Sequence, residues 1–129
     1  MKIQLEKPIK GVTILVVEDE QDYRQILTEV LELEGFTVLQ AADGQQALDL
    51  AQNNDIQLVL LDMLMPKIDG VTFLYHLRNT LHKEHIPALI LTNFTEAAFP
   101  EKVAGFIIKS NTSLDEVVAK VKEVLPITT

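Results

Sequence analysis

The chain has 129 residues, of which 47% are hydrophobic, and this is enough to close the core of one domain without disulfides or a structural metal. It has no cysteine, which excludes a disulfide framework and a thiol nucleophile. Nineteen acidic residues against eleven basic ones give a net charge of −8, and the Lys and Arg residues are scattered, so direct binding to DNA or RNA is not expected.

The N-terminal segment, residues 1–10, carries charges throughout and lacks the apolar stretch of a signal peptide. No apolar run approaches the about 18 residues that a membrane span requires. We therefore expect a cytoplasmic protein with no membrane contact. We also expect a single domain over residues 1–129, with its core at about 12–125 and no fused output domain.

Short, continuously apolar segments recur along the chain, and we interpret them as β-strands. Continuous rather than alternating hydrophobicity is typical of strands that are buried on both faces of a parallel sheet. The five predicted strands are Thr13–Val17, Phe36–Gln40, Ile56–Leu61, Ala88–Thr92 and Phe106–Ile108.

Helical periodicity lies between these strands. The first helix is predicted to end before Gly35, a residue suited to the position that follows a helix. Its inward residues are predicted to be Tyr23, Ile26, Leu27, Val30, Leu31 and Leu33. The second helix is predicted over Gly44 to Asn53.

The third helix is predicted from Gly70 to about Thr80, with Asp69 as its structural N-cap. Its inward face is predicted to contain Val71, Leu74 and Leu77 or Leu81. The last helix has the clearest start, because Ser113 and Glu116 have the spacing of a capping box. Its apolar stripe is Leu114, Val117, Val118, Val121 and Leu125, and Pro126 is predicted to end it.

Alternating strands and helices favour a doubly wound α/β fold with a five-stranded parallel sheet and helices on both faces. Only 14 positions separate Thr92 from Phe106, and Pro100 lies among them. This connection is short for a strand, a full helix and another strand. The fourth helix is therefore predicted to be shortened or broken.

Polar residues follow the predicted strands at their carboxyl ends, where sites form in such sheets. Glu18 and Asp19 follow the first strand, while Asp62, Thr92 and Lys109 occupy the ends of the third, fourth and fifth. Several carboxylates placed together are unfavourable unless a cation neutralises them. The acidic residues therefore predict a hard divalent ion, with Mg2+ as the natural candidate and Mn2+ as an alternative.

The same residues suit phosphoryl transfer. A carboxylate such as that of Asp62 can act as a nucleophile and form an aspartyl-phosphate. Lys109 would supply a positive charge and Thr92 a hydroxyl donor to the transferred group.

Four motifs, ILVVEDE, LVLLDMLMPKIDG, LILTN and GFIIKS, stand in this order between Val12 and Leu125. Together they resemble the motifs of the response-regulator receiver family, in particular its stand-alone, chemotaxis-type members. The resemblance implies a flavodoxin-like fold. It also implies roles for seven residues: Asp62 as phosphoacceptor, Glu18 and Asp19 with Asp62 and the Leu64 backbone carbonyl as metal ligands, Thr92 and Phe106 as a switch pair, and Lys109 as the family lysine.

The function that this resemblance implies is a phosphoacceptor switch in a two-component phosphorelay, not an enzyme. A histidine kinase or a phosphotransfer protein would donate the phosphoryl group to Asp62. A downstream target protein, whose identity the sequence does not give, would read the phosphorylated state.

Two other functions remain open from the residues. One is a receiver fold used as a phosphorylation-independent interaction module. Ser110, which stands where the family usually has Pro after the lysine, and the short fourth helix give a motive for it, whereas the retained Asp62, Thr92 and Lys109 argue against it. A phosphatase of the haloacid-dehalogenase type also uses an aspartate nucleophile with Mg2+. That class has Asp-x-Asp after its first strand, whereas Glu18 and Asp19 are adjacent.

The role of Phe106 also has an alternative. Instead of forming the switch pair with Thr92, Phe106 could be an ordinary aromatic residue of the core.

Overall fold

The computed structural model of the chain describes residues 11–63, 69–93 and 103–125. The strands are β1 (Thr13–Val17), β2 (Thr37–Ala41), β3 (Leu58–Asp62), β4 (Ala88–Thr92) and β5 (Gly105–Ile108). The α-helices in these ranges are α1 (Gln21–Leu33), α2 (Gly44–Asn53), α3 (Gly70–Tyr75) and α4 (Leu114–Val124). Two short helical turns, a π turn at His76–Thr80 and a 3₁₀ turn at Lys109–Asn111, complete them. None of these described helices combines the length and apolarity needed to cross a membrane.

All strand pairs of the sheet are parallel, and the strand order is β2-β1-β3-β4-β5. Asp62 pairs in register with Leu91 of β4, and Thr92 pairs with Ile108 of β5. This topology confirms the predicted flavodoxin-like, five-stranded parallel sheet. It also brings the carboxyl ends of β1, β3, β4 and β5 to one edge.

Alternate residues of the strands point into two separate hydrophobic cores. On one face, Leu15, Val17, Val59 and Leu61 pack with buried residues of α2 and α3. The other face contains Ile14, Val16, Leu58, Leu60, Leu89 and Leu91 with buried residues of α1 and α4. Both faces are therefore covered by helices, which is why the strands are continuously apolar.

The predicted strand bounds differ from the observed ones by no more than two residues, but three predicted inward residues are wrong. Leu33 is 84% exposed, Val71 is 51% exposed and Ile26 is 41% exposed. The buried side of α1 is centred on Leu27 and Leu31, one turn apart. Leu33 comes two positions after Leu31 and Ile26 one position before Leu27, and both turn away from that line because each residue rotates by about 100°.

The third helix does not run to Thr80 as a regular α-helix. It changes after Tyr75 into the wider π turn, in which the Leu81 N–H donates to the His76 carbonyl at 2.9 Å. The loop that follows carries Lys83, whose ammonium donates to the Asn54 carbonyl at 3.2 Å, beyond the end of α2. The shortened fourth helix that the sequence predicts between Thr92 and Phe106 is not α4, and it lies outside the described residues. The predicted helix stop at Pro126 lies outside them as well.

Three predicted helix termini, at Gly35, Asp69 and Ser113, are formed as expected. Gly35 has a positive φ of 101°, the left-handed conformation that suits glycine after a helix. The Asp69 side chain accepts from the Thr72 N–H at 2.9 Å at the start of α3. At the start of α4, the reciprocal bonds of the capping box between Ser113 and Glu116 are both present, at 3.1 and 3.0 Å.

The capping box should stabilise the fold measurably. Ser113→Ala removes the hydroxyl that accepts from the Glu116 N–H, so the free energy of unfolding should fall by about 1 kcal/mol. Urea denaturation followed by circular dichroism measures this change. Ser110→Ala is the matched control, because it removes an exposed hydroxyl outside any helix cap, and it should change stability by less than about 0.5 kcal/mol. Equal effects of the two substitutions would contradict the role of the cap.

Candidate functional site

The residues singled out in the sequence lie at one edge of the sheet. Glu18 follows β1 directly, Asp62 and Thr92 are the last residues of β3 and β4, and Lys109 follows β5 directly. The strands β3 and β4 are buried throughout, and β1 is buried from Ile14 onward, so the polar side chains of the site come where these apolar runs end. The parallel register thus brings together groups that are up to 91 positions apart in sequence.

Glu18 is the most deeply buried of these residues, with its side chain fully inaccessible. One carboxylate oxygen, Oε2, accepts from the Glu20 N–H at 3.0 Å, and Oε1 forms an ion pair with the Lys109 ammonium. Its backbone is held as well, because the Arg24 guanidinium donates to the Glu18 carbonyl at 2.7 Å. The Glu18 N–H donates to the Ala41 carbonyl at 3.0 Å, which continues the pairing of β1 with β2.

Lys109 is the positive centre of the site. Its ammonium nitrogen lies 3.5 Å from Asp62 Oδ2, besides its ion pair with Glu18. The same nitrogen lies 5.2 Å from the centre of the Tyr23 ring. Burial lowers the pKa of Lys109, but the hydrogen bonds and charges of Glu18 and Asp62 outweigh it, so the pKa is raised above its usual 10.5. Lys109 is therefore protonated in the folded protein at neutral pH.

Three carboxylates form a compact acidic cluster. Glu18, Asp19 and Asp62 each offer an oxygen, and these atoms lie within 4.8 Å of one another. Asp19 is exposed, whereas Asp62 is only 6% exposed. Oxygen ligands this close together suit a hard divalent cation such as Mg2+. The Leu64 carbonyl, the fourth predicted ligand, lies outside the described residues.

A glycine keeps the start of α3 close to Asp62. A Cβ added to Gly70 would lie 2.9 Å from the Met63 Cα, closer than real Cβ atoms approach, and 3.0 Å from the Asp62 carbonyl oxygen, which is also a tight contact. The Gly70 N–H donates to the Met63 carbonyl at 3.3 Å. A side chain at position 70 would therefore push the Asp62 segment away from the sheet edge. From the sequence, Gly70 is predicted only as the first residue of the third helix, without this role beside Asp62.

The proposed switch pair occupies two neighbouring strands. Thr92 is 3% exposed at the end of β4, and Phe106 of β5 is 51% exposed. Phe106 is paired in register with Ile90 rather than with Thr92. Its exposure rules out the alternative that Phe106 is an ordinary core aromatic.

The segment after Lys109 differs from the family pattern without distortion. The bond between Lys109 and Ser110 is trans, as are the other described peptide bonds. Ser110 has an N–H where proline has none, and the Asn93 side-chain oxygen accepts from it at 3.1 Å. Asn93 follows Thr92 directly, so this bond joins the ends of β4 and β5.

Tyr23 and Arg24 are site residues that the sequence analysis missed. Tyr23 was assigned to the apolar stripe of the first helix, and Arg24 was not singled out. Both lie in the first turn of α1, and the side chains of a helix tilt toward its N-terminus, which here is the loop that carries Glu18 and Asp19. Their position in the first turn was the available signal.

With this geometry in place, the comparisons with known proteins identify the family. The sequence profile described as "Response regulator receiver domain" matches residues 14–122. The chain therefore belongs to the response regulator receiver domain family, the receiver component of two-component response regulators. The resemblance predicted from the four motifs is confirmed.

Two full-length relatives give the extent of the similarity. The chain is 46% identical over 79 residues to the transcriptional regulatory protein CpxR of Escherichia coli (strain K12), a match that covers 61% of this chain and 32% of CpxR. It is 35% identical over 120 residues to the response regulator MprA of Mycobacterium sp. (strain KMS), covering 88% of this chain and 50% of MprA. The chain thus spans half or less of each of these relatives.

Solved structures match over nearly their whole length. The response regulator TrrA of Thermotoga maritima, in complex with Mg(2+)-BeF, is 31% identical with a TM-score of 0.78, covering 88% of this chain and 99% of TrrA. The chemotaxis response regulator CheY4 of Vibrio cholerae is 28% identical with a TM-score of 0.78, covering 88% and 98%. Both confirm the predicted fold class.

The ion pairs of Lys109 should stabilise the metal-free protein. Lys109→Met leaves the buried Glu18 carboxylate without its cation, so the free energy of unfolding in EDTA should fall by about 3 kcal/mol, the lower end of the range for a broken buried pair. The raised pKa of Lys109 sets the pH dependence. This stabilisation is complete below pH 10.5 and is lost as the pH rises through the raised value. Urea denaturation between pH 7 and 11 measures both.

The control for this substitution is Lys120→Met. Lys120 pairs with Glu123 at 3.5 Å on the exposed side of α4, so its loss should cost less than about 1 kcal/mol. Replacing Glu18 by Gln in the Lys109→Met background should recover part of the loss. If Lys109→Met were no more destabilising than Lys120→Met, the ion pairs would not be a main support of the site.

Proposed function

We propose that this chain is a phosphoacceptor switch that takes a phosphoryl group onto Asp62 from a histidine kinase or a phosphotransfer protein. The phosphorylated state is then relayed to a partner protein. Membership of the receiver family supports this proposal, and so does the presence of every described residue that the family resemblance assigns to the reaction.

One observation carries the proposal. The Asp62 carboxylate lies at the sheet edge within 3.5 Å of the Lys109 ammonium and within 4.8 Å of the carboxylates of Glu18 and Asp19. A nucleophilic carboxylate, a fixed ammonium and an acidic cation site are the parts that phosphoryl transfer to an aspartate requires. An interaction module without this chemistry would gain nothing from burying the Glu18 side chain beside Lys109 at the end of the sheet.

In the proposed reaction, an Asp62 carboxylate oxygen attacks the phosphorus of a phosphohistidine. The new O–P bond forms while the P–N bond to the donor imidazole breaks, and the imidazole nitrogen keeps that electron pair. Lys109, already at the carboxylate, stabilises the negative charge of the phosphoryl oxygens. Thr92, at the end of the neighbouring strand, supplies a hydroxyl donor to one of them.

Glu18, Asp19 and Asp62, with the Leu64 carbonyl, would hold Mg2+, or Mn2+ in its place. When bound, the ion neutralises negative charge on the phosphoryl group. The protein itself contributes by holding these oxygens close together before an ion binds. Glu18 is fixed for this role by the Glu20 N–H and the Arg24 guanidinium.

Thr92 and Phe106 would report the phosphorylated state. A hydrogen bond from Thr92 to the phosphoryl group would be charge-assisted and would favour one of two conformations of the segment after β4. Phe106 is exposed and can therefore turn inward without first leaving a packed core. A changed surface around Phe106 is what a target protein would recognise.

The partners follow from the same proposal. The donor is a histidine kinase or phosphotransfer protein, and the reader is a target protein. The net charge of −8 argues against direct contact with nucleic acid. We place the protein in the cytoplasm and propose that it is not an enzyme with substrate turnover, since Asp62 accepts one group and keeps it until hydrolysis.

Asp62→Asn should abolish phosphorylation and leave the fold intact, because an amide has nearly the same shape but is a poor nucleophile. Incubation with acetyl phosphate and MgCl2, followed by intact-mass measurement, should show one phosphoryl group on the wild-type protein and none on the variant. Asp115→Asn, an exposed acid in the first turn of α4, is the matched control and should be phosphorylated like the wild type.

The same experiment separates the alternatives. A wild-type protein that gains no mass would favour the phosphorylation-independent interaction module. A phosphoryl group on Asp62→Asn would make Asp62 the wrong residue. Sustained release of phosphate from small phosphate esters would instead favour the phosphatase.

Magnesium should stabilise the unphosphorylated protein by mass action, because the unfolded chain has no carboxylate cluster. At a concentration ten times its Kd the gain should be about 1.4 kcal/mol, seen as a rise in melting temperature. Asp19→Ala should remove most of this rise. Asp22→Ala, in the first turn of α1, is the control and should keep it. An unchanged rise in Asp19→Ala would place the ion elsewhere.

A further inference from the structure

Tyr23 has an unusual position for a residue of an apolar helix stripe. Its ring packs against the core formed by α1, α4 and the sheet, and the Lys109 ammonium lies over it at 5.2 Å from the ring centre. A lysine or arginine cation within about 6 Å of an aromatic centre is attracted by the negative face of the ring. An aliphatic side chain would fill the same volume without this attraction.

Lys109 needs such support more than an ordinary lysine does. Like any lysine, it has a flexible side chain with four rotatable bonds. Unlike an ordinary lysine, it has two carboxylate partners, Glu18 and Asp62, that a phosphoryl group and a cation would also bind. The ring of Tyr23 is the one described contact of the ammonium that does not belong to the acidic cluster. It therefore remains available to Lys109 when Glu18 and Asp62 change partners.

The hydroxyl of Tyr23 is not what holds the residue in place. The oxygen is buried and has no hydrogen-bond partner among the described residues. Burial raises the pKa of the phenol above 10.0, the Lys109 charge opposes this rise, and the charges of Glu18 and Glu20 add to it. The phenol is therefore neutral, and the contact with Lys109 is made by the ring face.

We propose that Tyr23 is a positioning residue for phosphoryl transfer, acting through Lys109, whose ammonium its ring holds at the sheet edge beside Asp62. This inference rests on the proposed function. It assigns a role to the first turn of α1 that depends on an aromatic ring and not on a hydroxyl.

The test compares two substitutions in the full chain. Tyr23→Phe keeps the ring, so the initial rate of phosphoryl uptake from acetyl phosphate with saturating MgCl2 should stay within about twofold of the wild type. Tyr23→Met keeps an apolar side chain but removes the ring, and its rate should fall by about threefold to tenfold. Tyr75→Met, at an exposed tyrosine of α3, is the matched control and should leave the rate unchanged.

A double-mutant cycle with Lys109→Ala separates positioning from general packing. If Tyr23 acts through Lys109, Tyr23→Met should slow phosphoryl uptake in the wild-type background and cause no further loss in the Lys109→Ala background. An equal loss in both backgrounds would show a structural role and overturn the proposal. Equal losses for Tyr23→Phe and Tyr23→Met would overturn it too, because the hydroxyl would then be the active part.

An NMR measurement tests the contact without phosphorylation. Protons on the Lys109 side chain near the ring face should show an upfield ring-current shift, assigned by its disappearance in Lys109→Arg spectra. The shift should persist in Tyr23→Phe and vanish in Tyr23→Met, or in Tyr23→Leu should the methionine variant not fold. Absence of the shift in the wild type would overturn the contact itself.

These readouts distinguish the two failures. A wild-type protein that shows the ring-current shift but accepts no phosphoryl group refutes the proposed function, and with it the role of Tyr23 in transfer. A wild-type protein that accepts the group while Tyr23→Met accepts it equally fast refutes only the role of Tyr23.

Discussion

The close approach of three carboxylates at the end of the sheet is the constraint on which the rest of the structure depends. Oxygens of Glu18, Asp19 and Asp62 lie within 4.8 Å of one another, and two of these side chains are almost inaccessible to water. Like charges at such distances repel strongly wherever water cannot screen them. In the protein without a metal ion, the Lys109 ammonium offsets this repulsion. Its attraction to Glu18 and Asp62 is also what raises the pKa of Lys109. The site is thus kept folded by a cation that belongs to the chain, ready for the exchange of partners that phosphoryl transfer would bring.

The arrangement of the sheet makes this concentration of charge tolerable. Two hydrophobic cores, one on each face, bury all of β3 and β4, so most of the stability of the domain comes from the packed strands and helices. The polar residues of the site lie at the carboxyl ends of these strands. Gly70 allows the start of α3 to lie against the backbone of Asp62 and Met63, which fixes the end of β3 from the other side. An unfavourable cluster can therefore be held in a defined geometry by apolar packing elsewhere.

Much of this arrangement could be predicted from the sequence because it follows from rules that act locally or by topology. Apolar runs predict buried parallel strands, and parallel strands bring their carboxyl ends to one edge, so Glu18, Asp62 and Lys109 could be placed together before any coordinates. The exposure of Leu33 could not be predicted, because hydrophobic periodicity shows which side of a helix is apolar but not how far the buried side extends. The π turn after Tyr75 has no sequence signal of its own. The contact of Tyr23 with Lys109 joins residues far apart in the chain, and no short-range pattern pairs them.

The departure from the family pattern after the lysine shows how a local change can be absorbed. A serine at position 110 brings an N–H that proline would lack, and an unsatisfied N–H is unfavourable unless water or an acceptor takes it. The Asn93 side chain accepts it, at a site open to solvent. An exposed bond of this kind contributes no more than about 1 kcal/mol, because water competes for both partners. The position of Lys109 is therefore determined mainly by the pairing of β5 with β4 and by its buried ion pairs. The substitution of proline by serine leaves the geometry of the charged site in place.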